Sequence, residues 1–166
     1  LATALEYHGT SKTIEDLILW TEDPEYDIKG IWPRVTGAAS QLGHGSRIER
    51  FRDWAAVRAA LAKNEIILCS MAMSAAKATY IDPPYPKMSG HIVVLNGITE
   101  DGRVIITDSA LGKMNRGFQS QWLAVDFEKV WFAKGGVAMV IEPPKDAPMK
   151  LVKDLPPFPI GRVRKP

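Results

Sequence analysis

The sequence predicts an α+β fold in which helices pack on a mostly antiparallel sheet. Two observations carry this prediction. Most of the helical periodicity falls in the first 62 residues, whereas most of the apolar runs of strand length come later. Two of those later runs, "HIVVLNGI" and "RVIIT", flank a turn that contains glycine, which is typical of an antiparallel hairpin.

Four helices are predicted in the first half of the chain from capping residues and apolar spacing. The first helix is expected to start at Leu1 with Ala4 and Leu5 inward, and the second at the cap Thr13 with Ile14, Leu17 and Ile18 inward. The third is expected to start at Trp32 with Val35, Ala38, Ala39 and Leu42 inward, and the fourth at the cap Asp53 with Trp54, Val57 and Leu61 inward. Gly9 and Gly43 are typical helix stops. The second half contributes one further short helix, "DFEKVWF".

The predicted strands are a short one at Arg47–Phe51, a buried one at 65–73, the two strands of the hairpin and a last one, "GGVAMVI". A Pro-rich segment, "SAAKATYIDPPYPKMSG", precedes the hairpin, and its length suggests a functional role. A polar loop is expected from Leu111 to Gln121.

Length and composition indicate one domain followed by a tail. The 166 residues suit a single packed domain, assigned to residues 1–142. Residues 143–166 form a basic segment that holds seven of the 12 prolines, as in an extended tail or a linker to another domain. The first helical stripe begins at residue 1 without a capping residue, so we expect the helix to start further upstream in a longer chain.

Composition also excludes several classes of function. The net charge is +2 and the basic residues form no stripe, so nucleic-acid binding has little support. No window approaches the ~20 apolar residues that cross a bilayer. Three histidines without clustered spacing predict no metal site, and no glycine-rich phosphate loop or other cofactor motif occurs.

The residues that carry chemistry are His91, which opens the first hairpin strand, and Asp108, which closes the second. An imidazole held by a carboxylate can act as a general acid and base. A two-residue turn at Asp101 and Gly102 would put Asp108 on the same face as His91, and a three-residue turn would put it on the other. A bulge or strand twist must also bring Asp108 closer to His91.

The chain offers no convincing nucleophile for this pair. Cys69 lies inside the apolar run "EIILCSMAM" and is interpreted as a structural thiol. Ser70 and Ser89 lie in no nucleophile-elbow motif. His8 and His44 are interpreted as surface residues near helix ends.

Two stretches, "GHIVVLNGITEDGRVIITDSA" and "DFEKVWFAKGGVAMVI", resemble the second half of papain-like cysteine peptidase domains, most closely the bacteriocin-leader-processing peptidases and their stand-alone bacterial relatives. "ALEYHG", "DPEYDIKGIWPRVTGAASQLG" and "RFRDWAAVRAALAKNEIILCSM" resemble the first half of the same domains. The resemblance covers about residues 1 to 142. Ser109 stands where relatives usually carry proline, and "GIWP" lacks the asparagine often found before the tryptophan.

The resemblance implies a papain-like fold with His91 as the catalytic histidine and Asp108 as its orienting acid. It places the nucleophilic cysteine at the N-terminus of the central helix, one to two turns before Leu1, together with an oxyanion-hole glutamine. The chain as given would then be inactive. Trp32 and Gly90 are candidates for substrate contact, as is the segment from Ser74 to Ser89.

The predicted function is therefore hydrolysis of peptide bonds in a peptide or protein substrate by a cysteine peptidase domain. Two alternatives stay open: a non-catalytic papain-fold module that binds peptides or proteins, and an acyltransferase or amidase on the same fold. Stand-alone relatives are often exported, so the resemblance implies an extracytoplasmic setting.

Overall fold

The computed structural model describes residues 1–73, 81, 88–110 and 119–145. Its helices are α1 Ala2–Tyr7, α2 Ile14–Thr21, α3 Trp32–Gln41, α4 Trp54–Ala62 and α5 Ala124–Val130, followed by a short 3-10 helix, Phe132–Lys134. Its strands are β1 His44–Arg50, β2 Ile66–Met73, β3 Met88–Ile98, β4 Arg103–Thr107, β5 Ser120–Leu123 and β6 Val137–Pro144.

The strands form one six-stranded sheet in the order β1-β6-β2-β3-β4-β5, and every pairing is antiparallel. With helices on this sheet, the predicted α+β class is confirmed. Strand β6 runs to Pro144 and pairs there with His44, two residues into the segment assigned to the tail. None of the helices in the described ranges is long and apolar enough to span a membrane.

Apolar side chains cover both faces of the sheet because the central strands alternate between them. On one face, Cys69 and Val93 pack with Val57 of α4 and Phe127 of α5, and we call this the α4–α5 cluster. On the other face, Leu68 packs with side chains of α1 and α3, and we call this the α1–α3 cluster. Both helix pairs are therefore fixed on the two sides of β2 and β3.

The helix starts follow local capping chemistry, as predicted. The hydroxyl of Thr13 accepts the backbone N–H of Asp16 at 3.1 Å, and the carboxylate of Asp53 accepts that of Ala56 at 2.8 Å. Trp32 and Pro33 occupy the first turn of α3. Short-range sequence signals thus set where these helices begin.

The inward face predicted for α2 is only partly right. Leu17 is buried, but Ile14 is 64% exposed and Ile18 37% exposed. The helix contacts α3 on one narrow side, where Leu17 and Thr21 are buried. The apolar spacing gave the right periodicity, but burial depends on how much neighbouring surface exists to cover the helix.

The interpretation of His44 as a surface residue is wrong, and that of His8 is only partly right. His44 is buried, with Nδ1 at 2.9 Å from the carbonyl oxygen of Glu142 and Nε2 at 2.9 Å from the Thr10 hydroxyl. The half-buried ring of His8 lies 5.5 Å from that of His44 and contacts the Ile141 carbonyl. Helix α1 ends against β1 and β6, so tertiary packing buries a pair that the sequence placed at exposed helix ends.

Acid is expected to destabilise the fold through His8. Burial, partly offset by the hydrogen bond to Ile141, lowers the pKa of His8 from 6.5 to about 4. The neutral ring is thus favoured in the folded state, and its stabilising contribution is complete above pH 6.5 and is lost as the pH falls from 6.5 towards 4. Because the ring is partly exposed, we expect a loss of only about 1 kcal/mol.

Urea unfolding at pH 7 and pH 4.5 of the parent chain and His8→Gln measures this effect. Glutamine can still hydrogen-bond to the Ile141 carbonyl but does not titrate, so the free energy of unfolding of His8→Gln should fall less on acidification. Equal pH dependence of the two chains would contradict the role given to His8.

Candidate active site

The hairpin of β3 and β4 brings His91 and Asp108 together. The N–H of Thr99 donates to the carbonyl of Arg103 at 2.8 Å, so the turn consists of three residues and ends at Gly102 with φ of +83°. By itself this turn would place Asp108 opposite Val94, on the wrong face for His91. The turn therefore follows the less favourable of the two predicted alternatives.

A bulge at Asn96 reverses that outcome. Near the turn Gly97 pairs with Ile105, but beyond the bulge Leu95 pairs with Ile106 and Val94 with Thr107. Continued by one residue, the shifted register places Asp108 opposite Val93, which shares a face with His91. The extra residue both returns Asp108 to the face of His91 and brings it nearer along the strand.

The two side chains meet as predicted, with His91 Nε2 2.7 Å from Asp108 Oδ1. The Asp108 side chain is fully buried, and its Oδ1 also accepts the backbone N–H of Ala110 at 2.9 Å. The imidazole is 21% exposed. A buried acceptor of this kind fixes the orientation of a ring that can still exchange protons with a ligand.

Asp108 is positioned locally as well as by the sheet. Its contact with Ala110, two residues further on, is the type of turn in which aspartate binds its own following backbone. The fixed carboxylate and the imidazole form a charge-assisted pair whenever the ring is protonated. The arrangement is therefore able to stabilise an imidazolium formed during proton transfer.

The other two predicted site residues, Gly90 and Trp32, lie in two different elements, β3 and α3. Gly90 immediately precedes His91 in β3, is exposed and has open space around its Cα. Trp32 begins α3 and packs against the α1–α3 cluster, as do Leu1 and Ile92. The predicted contribution of the Ser74–Ser89 segment falls almost entirely outside the described residues, as does the loop from Leu111.

Cys69 has the properties of a structural thiol. It is fully buried in β2 opposite Val93, and burial raises its pKa well above the ordinary value. A nucleophilic thiol instead needs an environment that favours the thiolate. The interpretation of Cys69 as a packing residue is confirmed. Across the described ranges, no three His, Cys, Asp or Glu side chains gather as metal ligands.

Helix α1 packs on the α1–α3 face of the sheet. At its C-terminal end, Tyr7 donates to Asn64 just before β2 begins, and His8 contacts Ile141, a partner of Ile66. At its N-terminal end, Leu1 packs against the cluster that also contacts Ile92 and Val94. The helix therefore lies on the α1–α3 face of the sheet, with its C-terminal end fixed near Asn64 and Ile141.

One long-range contact was not predicted from the sequence. Asp126, in the first turn of α5, accepts the backbone N–H of Ile81 with both carboxylate oxygens, each at 2.9 Å. An aspartate in a first helical turn is common for electrostatic reasons alone, so the sequence gave no signal of this long-range role.

Two comparisons with known proteins found matches to this chain. The model of the Peptidase C39-like family matches residues 1–139. Among solved structures, a protein from Bacillus anthracis described as C39-like peptidase superposes with a TM-score of 0.59, at 12% sequence identity and over 84% of each chain. That structure shows the same fold. No curated protein matches the chain. The family match covers most of the sequence, including both hairpin residues, and the chain belongs to the Peptidase C39-like family.

Proposed function

We propose that this cysteine peptidase-like domain hydrolyses peptide bonds, with His91 as the general acid and base and Asp108 as the group that orients it. The observation that carries the proposal is the 2.7 Å contact between the His91 ring and a fully buried carboxylate. This contact joins two strands through a bulge, which makes it a specific feature of the hairpin. Membership of the peptidase family adds the substrate class.

The nucleophile belongs, in this proposal, to a cysteine that precedes Leu1 in the same helix as α1. The match of the family model begins at residue 1, so α1 lies within the matched domain, and the resemblance of "ALEYHG" to the end of the family's central helix supports this location. One to two helical turns before Leu1 correspond to about 5–11 Å of helix.

A helix N-terminus is also chemically suited to this thiol. Its unpaired N–H groups and positive dipole end favour the thiolate, as does a neighbouring imidazolium. The imidazole is partly exposed at the end of the β2–β3 ladder, where the register shifts between Met71 and Met73. That the pair faces the start of the extended helix stays a prediction.

The reaction then follows acyl-transfer chemistry. Nε2 of His91 is held by Asp108, so proton exchange with the thiol is assigned to Nδ1. The thiolate attacks the peptide carbonyl carbon, and the imidazolium protonates the leaving amine as the C–N bond breaks. A water molecule then gives a proton to His91 and attacks the thioester, which releases the acid and restores the thiol.

Alkylation of the parent chain and of Cys69→Ser tests whether the nucleophile is a thiol other than Cys69. In the full-length chain, including residues before Leu1, we expect Cys69→Ser to hydrolyse fluorescein-labelled casein within about twofold of the parent. The buried hydroxyl should lower stability by about 1–3 kcal/mol, since it replaces a thiol in an apolar strand. Iodoacetamide should abolish hydrolysis in both chains.

Two other outcomes would count against the proposal. A folded Cys69→Ser chain without activity would mean that the nucleophile is misplaced. A reduced full-length chain that binds casein but does not cleave it would instead indicate a binding module.

A further inference from the structure

We propose that Asp126 is a positioning residue that holds Ile81, and that the Ile81 side chain is an apolar contact for peptide substrate. Only the second part of this proposal, the contact of Ile81 with substrate, rests on the peptidase function proposed above. The first part, the hold on Ile81, stands on the contact of both Asp126 oxygens with one backbone N–H at 2.9 Å.

The hydrogen bond from Ile81 helps to explain why the Asp126 carboxylate is buried. Its side chain is fully buried, which is rare for a carboxylate unless hydrogen bonds or opposite charges compensate the lost hydration. Lys129 places its ammonium 3.4 Å from Oδ1, and the position in the first turn of α5 is favourable for a negative charge. The Ile81 N–H lies 45 residues away in sequence, so it contributes nothing to the local start of the helix.

The element that carries Asp126 is rigidly packed. Phe127, Val130 and Trp131, which follow it, are fully buried in the α4–α5 cluster, and the Phe127 ring lies 5.6 Å from that of Trp131. A group on such an element holds its partner more accurately than a group on a loop. Asp126 is therefore a fixed point against which another segment can be located.

Ile81 lies in the middle of the connection between β2 and β3. That connection runs from the end of β2 at Met73 to the start of β3 at Met88, and β3 carries His91. A hydrogen bond at its midpoint fixes the position of Ile81 relative to the strand pair that holds the catalytic histidine.

The Ile81 side chain is 70% exposed although its backbone is tied to a buried carboxylate. A large apolar side chain presented in this way loses little further freedom when it makes a contact. A peptide bound near His91 would bury it against an apolar side chain, and the hydrophobic effect would favour that contact. This contact would affect substrate binding more than the chemical step.

Amide hydrogen exchange tests the hold on Ile81 without any activity. In the chain as given, Asp126→Ala should speed exchange of the Ile81 amide by about 10- to 100-fold, since a hydrogen bond to a charged group is lost. Asp126→Asn should give a smaller increase. Val125→Ala, at a neighbouring exposed position in α5, should leave the exchange within about twofold.

The substrate contact is tested in the full-length chain with fluorescein-labelled casein. Asp126→Asn and Ile81→Ala should each raise KM by about tenfold with kcat within about twofold, because uniform binding energy is lost. The double variant should not exceed the larger single effect. A purely structural role of Asp126 would instead lower the amount of folded enzyme at unchanged KM.

The outcomes are distinguishable. If the Ile81 amide exchanges at the parent rate in both Asp126→Ala and Asp126→Asn, Asp126 does not hold Ile81. If Asp126→Ala does not fold, the exchange rate in Asp126→Asn alone tests this part of the proposal. Casein hydrolysis that needs His91 but shows unchanged KM in the variants overturns the substrate contact alone. A full-length chain without hydrolysis overturns the peptidase proposal and the substrate contact together, while the exchange experiment still judges the hold.

Discussion

Asp108→Ala in the full-length chain is expected to lower kcat for casein hydrolysis by about 10³- to 10⁴-fold. Alanine has no hydrogen-bond acceptor, so it neither stabilises the imidazolium nor fixes the His91 tautomer through Nε2. The 2.7 Å contact with a fully buried carboxylate is the reason to expect an effect of this size. Steady-state kinetics with a thermal melt of each variant measures it.

Asp101→Ala is the matched control for this experiment. Asp101 lies in the turn of the same hairpin, but its side chain is 68% exposed and contacts Arg103 rather than His91. Its replacement should leave kcat within about twofold. If Asp108→Ala folds normally and keeps its kcat, the orienting role of Asp108 is wrong, whichever residue supplies the nucleophile.

Gly136→Ala is expected to be the most destabilising glycine substitution proposed here, by about 3–5 kcal/mol. Gly136 has φ of +62°, and a Cβ at this position would lie 2.0 Å from the carbonyl oxygen of Phe51. The clash is with backbone, which cannot rotate away as a side chain can. Relief would move β6 from the end of β1, where the N–H of Phe51 donates to Gly136 at 2.8 Å.

Gly37→Ala provides a control with the opposite sign. Gly37 lies inside α3, and an added Cβ meets nothing within 4 Å. Alanine should stabilise the helix by about 0.5–1 kcal/mol, since glycine loses more backbone entropy on folding. Urea unfolding of both variants gives the two free energies. A Gly136→Ala chain as stable as the parent would show that this junction of β1 and β6 tolerates a side chain.

Much of the fold was predictable because it depends on short-range signals. The caps at Thr13 and Asp53, the Trp32 start of α3 and the apolar strands are read from residues within a few positions of each other. The α+β class follows from their order. The predicted meeting of His91 and Asp108 also came from local pattern, with a bulge or a strand twist named as its requirement.

The sequence by itself determined which residues could form the site and which elements carry them. Only the tertiary structure decided the register that brings His91 and Asp108 together. The three-residue turn alone would put Asp108 on the face of the sheet opposite His91, and the bulge at Asn96 returns it to the same face. It also decided the burial of His44 and the contact of Asp126 with Ile81. These outcomes depend on which distant surfaces meet, and periodicity within one segment contains no information about its neighbours in space.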